Sequence, residues 1–209
     1  MQVFAIRQLL KYVEKDPEAN ALKALKIIRK IDIDGTYGSS WNELEKCLED
    51  PHNNWTLLIK KAYTEWDPHV RKKLFESLIC NAALIGNSAI KETSKKHGVN
   101  VPWTILMDPT SACNLKCTGC WAAEYGHRMS MDFETLDRII TEGKELGIYM
   151  YIFSGGEPLV RKKDIIRLCE KHPDCYFLAF TNGTLIDEAF ADEMLRVGNF
   201  APAISVEGY

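Results

Sequence analysis

No apolar run in this 209-residue sequence approaches the length that spans a bilayer, and the opening Met1-Gln2-Val3-Phe4-Ala5-Ile6-Arg7 lacks the basic start and long apolar stretch of a secretory signal. A dominant charge is missing too. With 26 Lys and Arg against 29 Asp and Glu, the net charge of −3 gives no electrostatic argument for nucleic acid or an anionic membrane as partner. Nor is there a disulfide framework: the seven cysteines are clustered unevenly, a pattern that fits a reducing compartment, and the chain reads as cytoplasmic. What remains is an ordinary globular composition, 46% hydrophobic and 26% charged, in a chain long enough for one large domain or two small ones around a sizeable core.

Residues 1–98 read as helices throughout, most simply an antiparallel bundle. Phe4, Leu9, Leu10 and Val13 share one apolar face, and Leu22, Leu25, Ile28 and Ile31 another. Asp16-Pro17 and Asp67-Pro68 each give an N-cap followed by proline in the first turn, and Ser40-Trp41-Asn42-Glu43 fits a capping box. Gly35-Thr36-Tyr37-Gly38 and Pro51-His52-Asn53-Asn54 break the pattern between helices, while Val70 to Ile85 is the most apolar stretch and is expected to pack centrally. Trp41, Trp55, Tyr63 and Trp66 read as packing aromatics. A helical pattern alone assigns this half no chemistry.

From Val101 the period changes. Short apolar strands are expected at Trp103 to Met107, Tyr149 to Phe153, Tyr176 to Phe180 and Pro202 to Val206. Between them lie amphipathic stretches at Phe133 to Leu146, Lys163 to Lys171 and Asp187 to Val197. Apolar strands alternating with amphipathic helices indicate parallel βαβ units, which carry functional groups in the loops after the strands' C-terminal ends. All the candidate chemistry falls there.

The first such loop is Cys113-Asn114-Leu115-Lys116-Cys117-Thr118-Gly119-Cys120, three cysteines within eight residues and no fourth nearby. Structural zinc and a closed iron–sulfur cluster each take four protein ligands. Three thiolates would hold a four-iron cube and leave one iron open to a substrate or cofactor; the alternative is a zinc site with a remote fourth ligand such as His127. After the second strand comes Phe153-Ser154-Gly155-Gly156-Glu157-Pro158-Leu159, after the third Thr181-Asn182-Gly183-Thr184, and at the fourth Ser205 and Glu207.

Three cysteines at this spacing, followed by a strand that ends in Gly-Gly-Glu-Pro, resemble the radical S-adenosylmethionine (radical SAM) enzymes over roughly Val101 to Tyr209. The resemblance implies an α/β fold: a parallel barrel of six βα units, of which residues 99–209 hold four, preceded by the helical domain 1–98. The missing units leave an open sheet edge, so the chain reads as a fragment, with the remaining units in the same or another chain. The resemblance further implies that Cys113, Cys117 and Cys120 ligate a [4Fe–4S] cluster and that S-adenosylmethionine chelates its open iron. Ser154, Gly155, Gly156 and Glu157 would bind the methionine end, the glycines letting backbone come close. Thr181, Asn182, Ser205 and Glu207 would meet the ribose or carboxylate. An electron from a donor such as flavodoxin or ferredoxin would cleave the cofactor to methionine and a 5′-deoxyadenosyl radical, which abstracts hydrogen from a substrate the sequence does not name.

One position departs from the family pattern. The aromatic residue commonly found before the third cysteine, against the adenine, is Gly119 here, and an aromatic follows instead as Trp121. Cys47, Cys80, Cys169 and Cys175 lack ligand spacing as a set, and Arg161-Lys162-Lys163 reads as a solvated face. The rival to an enzyme is a truncated cluster-binding homologue that serves as a protein-interaction module.

Overall fold

A computed structural model describes residues 2–30, 38–120, 122, 126 and 128–206. The chain divides into two compact units, Met1–Arg71 and Lys72–Tyr209. No helix among the described residues is long and apolar enough to cross a membrane.

The first unit holds α1 (Gln2–Lys15), α2 (Pro17–Arg29), α3 (Gly38–Glu49) and α4 (Asn54–Thr64), with α5 (Pro68–Leu74) running across the division. Local chemistry sets the starts. Asp16 accepts from the Ala19 amide ahead of Pro17, Asn53 accepts from Trp55, and Asp67 accepts from His69 and Val70. Ser40 lies two residues inside α3 rather than at its cap, because the helix already begins at Gly38. Of the expected apolar faces, Val13 and Leu25 are buried and Leu9, Leu22 and Ile28 half-buried; Ile31 and Gly35 to Tyr37 lie outside the described residues. Buried Arg71 closes the end of α4. Its guanidinium donates to the Ala62 and Tyr63 carbonyls at 3.2 and 3.3 Å and lies 4.6 Å over the Tyr63 ring. Trp55 and Trp66 stand exposed, on the first turn of α4 and in the turn after it, instead of packing.

In the second unit a π-helical segment, Phe75–Gly86, leads into α6 (Asn87–His97). There follow β1 (Thr104–Met107), α7 (Phe133–Glu145), β2 (Met150–Phe153), a 3-10 turn at Pro158–Arg161, α8 (Lys162–Lys171), β3 (Tyr176–Thr181), α9 (Glu188–Val197) and β4 (Phe200–Ile204). The strands form one parallel sheet in the order β1-β2-β3-β4. Side chains alternate across it. Tyr151, Phe153, Phe177, Ala179 and Phe200 face the main core with Leu136, Ile140, Ile165 and Leu168 of the crossover helices. Met150 and Tyr176 face the other way and pack with Ala82, Leu74 and Leu78 of the segment before β1. Phe153 and Phe177 stack with centroids 5.8 Å apart. The part of the apolar Val70 to Ile85 stretch that packs on the sheet, Leu74 to Ala82, therefore covers one of its faces within the second unit.

The rim at the strands' N-terminal ends is tied by a buried polar knot. The Asn199 amide nitrogen lies 3.0 to 3.2 Å from the carbonyls of Cys169, His172 and Cys175, and His172 Nε2 lies 2.9 Å from Asp137. Burial pushes the thiols of Cys169 and Cys175 well up from the ordinary range, so both are inert.

Candidate functional site

At the opposite rim, the loops leaving β1, β2 and β3 are stitched to one another. The β1 exit forms a short antiparallel stem: Ser111 N donates to Met129 O at 2.9 Å, Met131 N donates to Pro109 O at 3.1 Å, and Thr110 pairs with Ser130. The cysteine loop projects from this stem. Cys113 and Cys120 are half-buried and Cys117 is exposed, and all three thiols are free. The Leu115 amide donates to Cys113 Sγ at 3.4 Å, and Cys120 N donates to Cys117 O at 3.3 Å. Among the described residues no three His, Cys, Asp or Glu side chains stand grouped as an ion-holding set. The loop brings the three thiols onto one short segment without gathering their sulfurs at a point.

The turn after β2 packs on the root of that loop. Gly155 has φ +100°, and a Cβ there would lie 2.6 Å from Thr110 O. At Gly156 the added carbon would strike the Ala112 carbonyl oxygen and lie 2.5 Å from Ser111 O. From sequence, close approach of a cofactor accounts for these glycines; the contacts give a nearer reason, which is that cysteine-loop backbone fills the space. Gly156 N donates to Thr110 O at 3.0 Å and Glu157 N to Ala112 O at 2.8 Å, while Ser154 N continues the ladder to Met107 O.

Glu157 is 1% exposed. Its Oε1 accepts from Leu159 N (2.9 Å) and Thr181 Oγ1 (2.7 Å), and its Oε2 accepts from Asn182 N (2.9 Å). A buried carboxylate with donors on both oxygens is satisfied, and this one joins the β2 exit to the β3 exit. Thr181 Oγ1 in turn accepts from Gly183 N at 3.0 Å. Asn182 reaches the cysteine loop: its Nδ2 donates to Asn114 Oδ1 at 3.0 Å, and Asn114 Nδ2 donates to Thr184 Oγ1 at 2.8 Å.

Of the remaining expected residues, Ser205 lies one residue beyond β4, exposed, with its amide on Thr181 O. Gly119 has φ +75°, and a Cβ there would point into open space, with nothing within 4 Å. Trp121 and Glu207, and His127 as the alternative zinc ligand, lie outside the described residues. The fourth strand sits two residues earlier than expected, because pairing with β3 ends where Thr181 turns out into its loop.

Between the stem and the Gly-Gly turn opens a cleft of about 400 Å³, lined by Asp108, Ser111, Ala122, Gly155, Gly156 and the strip Met129 to Met131. That is the size of a small-molecule site with a few polar groups on apolar walls. Sequence reasoning missed Asn114 and Arg161, and it named Thr184 without its partner Asn114. Asn114 is visible in the sequence only as a short amide between cysteines, and nothing local signals its partners.

Residues 107–209 match the Radical SAM superfamily. Through this segment the chain belongs to the radical SAM superfamily. Enzymes of the superfamily use a [4Fe–4S] cluster and S-adenosylmethionine. The chain is 33% identical over 105 residues to the PqqA peptide cyclase of Granulibacter bethesdensis, covering 48% of this chain and 28% of that one. It is also 33% identical over 114 residues to the Fe-coproporphyrin III synthase of Methanosarcina barkeri, covering 50% and 27%. A solved structure of Streptococcus suis SuiB bound to S-adenosylmethionine aligns over 54% of this chain and 27% of that one, with 26% identity and a TM-score of 0.46. The chain spans about a quarter of the length of the curated relatives it matches.

Proposed function

We propose that this radical SAM chain holds a [4Fe–4S] cluster on Cys113, Cys117 and Cys120 and S-adenosylmethionine beside it, in an enzyme that abstracts hydrogen from its substrate. The donor set fits: three free thiols lie on one loop with an amide already directed at one sulfur, and soft thiolates suit iron–sulfur clusters. Cys113, Cys117 and Cys120 would hold the cluster, which would supply the one electron needed for reductive cleavage of S-adenosylmethionine to methionine and a 5′-deoxyadenosyl radical. Metal uptake would draw the sulfurs together, since binding and local ordering are coupled.

The chain's own residues supply placement. Ser154, Gly155 and Gly156 present backbone to the methionine end of the cofactor. Glu157, fully engaged by Leu159, Thr181 and Asn182, holds that turn to the β3 exit. Asn182 and Thr181 stand next on the rim, Ser205 and Glu207 follow β4 in sequence, and Gly119 and Trp121, which flank the third cysteine in sequence, would meet the adenine. The electron would come from a donor such as flavodoxin or ferredoxin, in a reducing compartment where the thiols stay unpaired.

One observation carries this reading: the amides of Gly156 and Glu157 bind the carbonyls of Thr110 and Ala112, so the turn that meets the cofactor and the loop that meets the metal share one hydrogen-bonded unit. Anaerobic reconstitution with iron and sulfide is expected to yield about four irons per chain. Added S-adenosylmethionine is expected to shift the electron paramagnetic resonance spectrum of the reduced cluster. Stoichiometric zinc without sulfide in anaerobically purified protein would sink the reading.

A further inference from the structure

The short basic run Arg161-Lys162-Lys163 reads from sequence as a solvated face, and the structure overturns that for its first two members. Lys162 Nζ lies 3.1 Å from Leu185 O and 2.7 Å from Asp187 Oδ2. Arg161 is more constrained still, its side chain only 20% exposed. Nε and Nη2 hold Asp164 Oδ2 at 2.7 and 2.6 Å, which fixes the plane of the guanidinium. Nη1 is thereby aimed at both strands of the cysteine-loop stem. It lies 3.3 Å from Pro109 O on the outgoing strand, 2.7 Å from Met131 O on the returning one, and in contact with Ser130 Oγ.

The position of Arg161 in the chain gives these contacts their meaning. It ends the 3-10 turn that begins immediately after Glu157, so it is rigidly joined to the Gly-Gly turn. Gly155 and Gly156 form one wall of the cleft, and Met129, Ser130 and Met131 form another. The geometry points to Arg161 as a positioning residue that sets the width of the cofactor cleft, by clamping the wall that carries Met129 to Met131 to the element that carries the Gly-Gly turn. A guanidinium suits the task because its donors diverge in a fixed plane, one edge for Asp164 and the other for the stem; a lysine ammonium cannot hold both. Arg161 does not line the cleft and acts through the stem. The inference rests on the cluster and cofactor reading above, and its test has an arm that does not.

That arm is amide hydrogen exchange on the metal-free chain. Arg161→Gln is expected to speed exchange at Ser111 and Met131, the two stem amides, by roughly tenfold, the scale of one lost charge-assisted hydrogen bond. Amides of β2 and β3 should keep their rates. Arg161→Lys, which keeps the charge and loses the fork, should behave like Arg161→Gln, and Asp164→Asn should reproduce the effect if the arginine variants fold poorly. The second arm uses reconstituted protein. Iron content is expected to stay near wild type while the S-adenosylmethionine concentration needed for the spectral shift rises roughly tenfold, as a cleft of altered width requires; a merely structural arginine would lower the melting temperature and leave that concentration unchanged. Unaltered stem exchange overturns the clamp, and altered exchange with unaltered cofactor binding overturns the positioning role. If wild-type protein takes up no cluster, the functional reading fails instead, and exchange alone decides the clamp.

Discussion

Replacing Gly156 with alanine adds one carbon at the most crowded point of the rim. The new Cβ would strike the Ala112 carbonyl oxygen and sit 2.5 Å from Ser111 O and 2.7 Å from Ala112 C, all backbone atoms that cannot rotate away. Relief requires the root of the cysteine loop to retreat, which stretches the bonds from Gly156 N to Thr110 O and from Glu157 N to Ala112 O. Overpacking costs about 1–3 kcal/mol, and each weakened hydrogen bond adds about 0.5–1.5 kcal/mol. A total of about 2–6 kcal/mol leaves the fold standing for a domain near the middle of the usual stability range of about 5–15 kcal/mol. It lowers the melting temperature by several degrees. The displaced loop carries the cysteines, so iron uptake should fall together with stability. Gly119→Ala is the control: φ there is +75° but nothing lies within 4 Å, so only backbone strain of about 1 kcal/mol is added. Scanning calorimetry and iron-to-protein ratios after reconstitution read both effects. If Gly156→Ala melts with wild type and loads iron equally well, the close approach of turn and loop is not what makes glycine necessary.

Three further outcomes follow from the same contacts. Glu157→Gln keeps one acceptor oxygen but faces a donor with an NH2, leaving a buried amide or hydroxyl unmet at about 1–3 kcal/mol; a lower urea midpoint and faster exchange at the Asn182 amide are expected, and an unchanged midpoint would contradict the engaged carboxylate. Burial holds the His172 imidazole below its ordinary pKa, against the hydrogen bond to Asp137 that favours the charged ring. The unfolded chain therefore gains a proton as pH falls through about 6.5 while the folded chain does not, so stability present above that pH is lost below it, down to the lowered folded value; urea midpoints at pH 7.5 and 5.5 should differ less in His172→Asn than in wild type. Alkylation of the metal-free native chain, followed by mass spectrometry, should label Cys113, Cys117 and Cys120 but spare Cys80, Cys169 and Cys175 until the chain is unfolded, since those three are buried.

The alternation of apolar strands with amphipathic helices places β1, β2, β3 and α7 to α9 within a residue or so of where they lie. β4 departs from its expected bounds for a physical reason. Proline cannot donate to a ladder, which argues for Pro202 at the start of the strand. It pairs instead with Ala179 in mid-strand, and the strand opens directly after the turn at Gly198-Asn199. The site residues are legible where the chemistry requires particular residue types in a fixed spacing, as with the cysteines and the Gly-Gly-Glu turn. They are illegible where a side chain's partner is remote in sequence. Arg161 finds its acceptors at Pro109, Ser130 and Met131, and Asn114 finds its partners at Asn182 and Thr184, so neither carries a local pattern.

That remoteness has a consequence in time. Thr184, which receives the Asn114 side chain, is made seventy residues later, and Arg161 fifty-two residues after the Pro109 carbonyl it binds. At ribosomal rates of roughly 5–20 residues per second, the interval from Asn114 to Thr184 is on the order of ten seconds. Cys113, Cys117 and Cys120 emerge before the stem partners Met129 to Met131, before Gly156 and Glu157, and last of all before the Asn182 and Thr184 side chains that tie Asn114. The nascent chain therefore passes through a window in which its thiols are reactive and unhoused, and metal loading belongs after the β3 exit has emerged and closed on the loop.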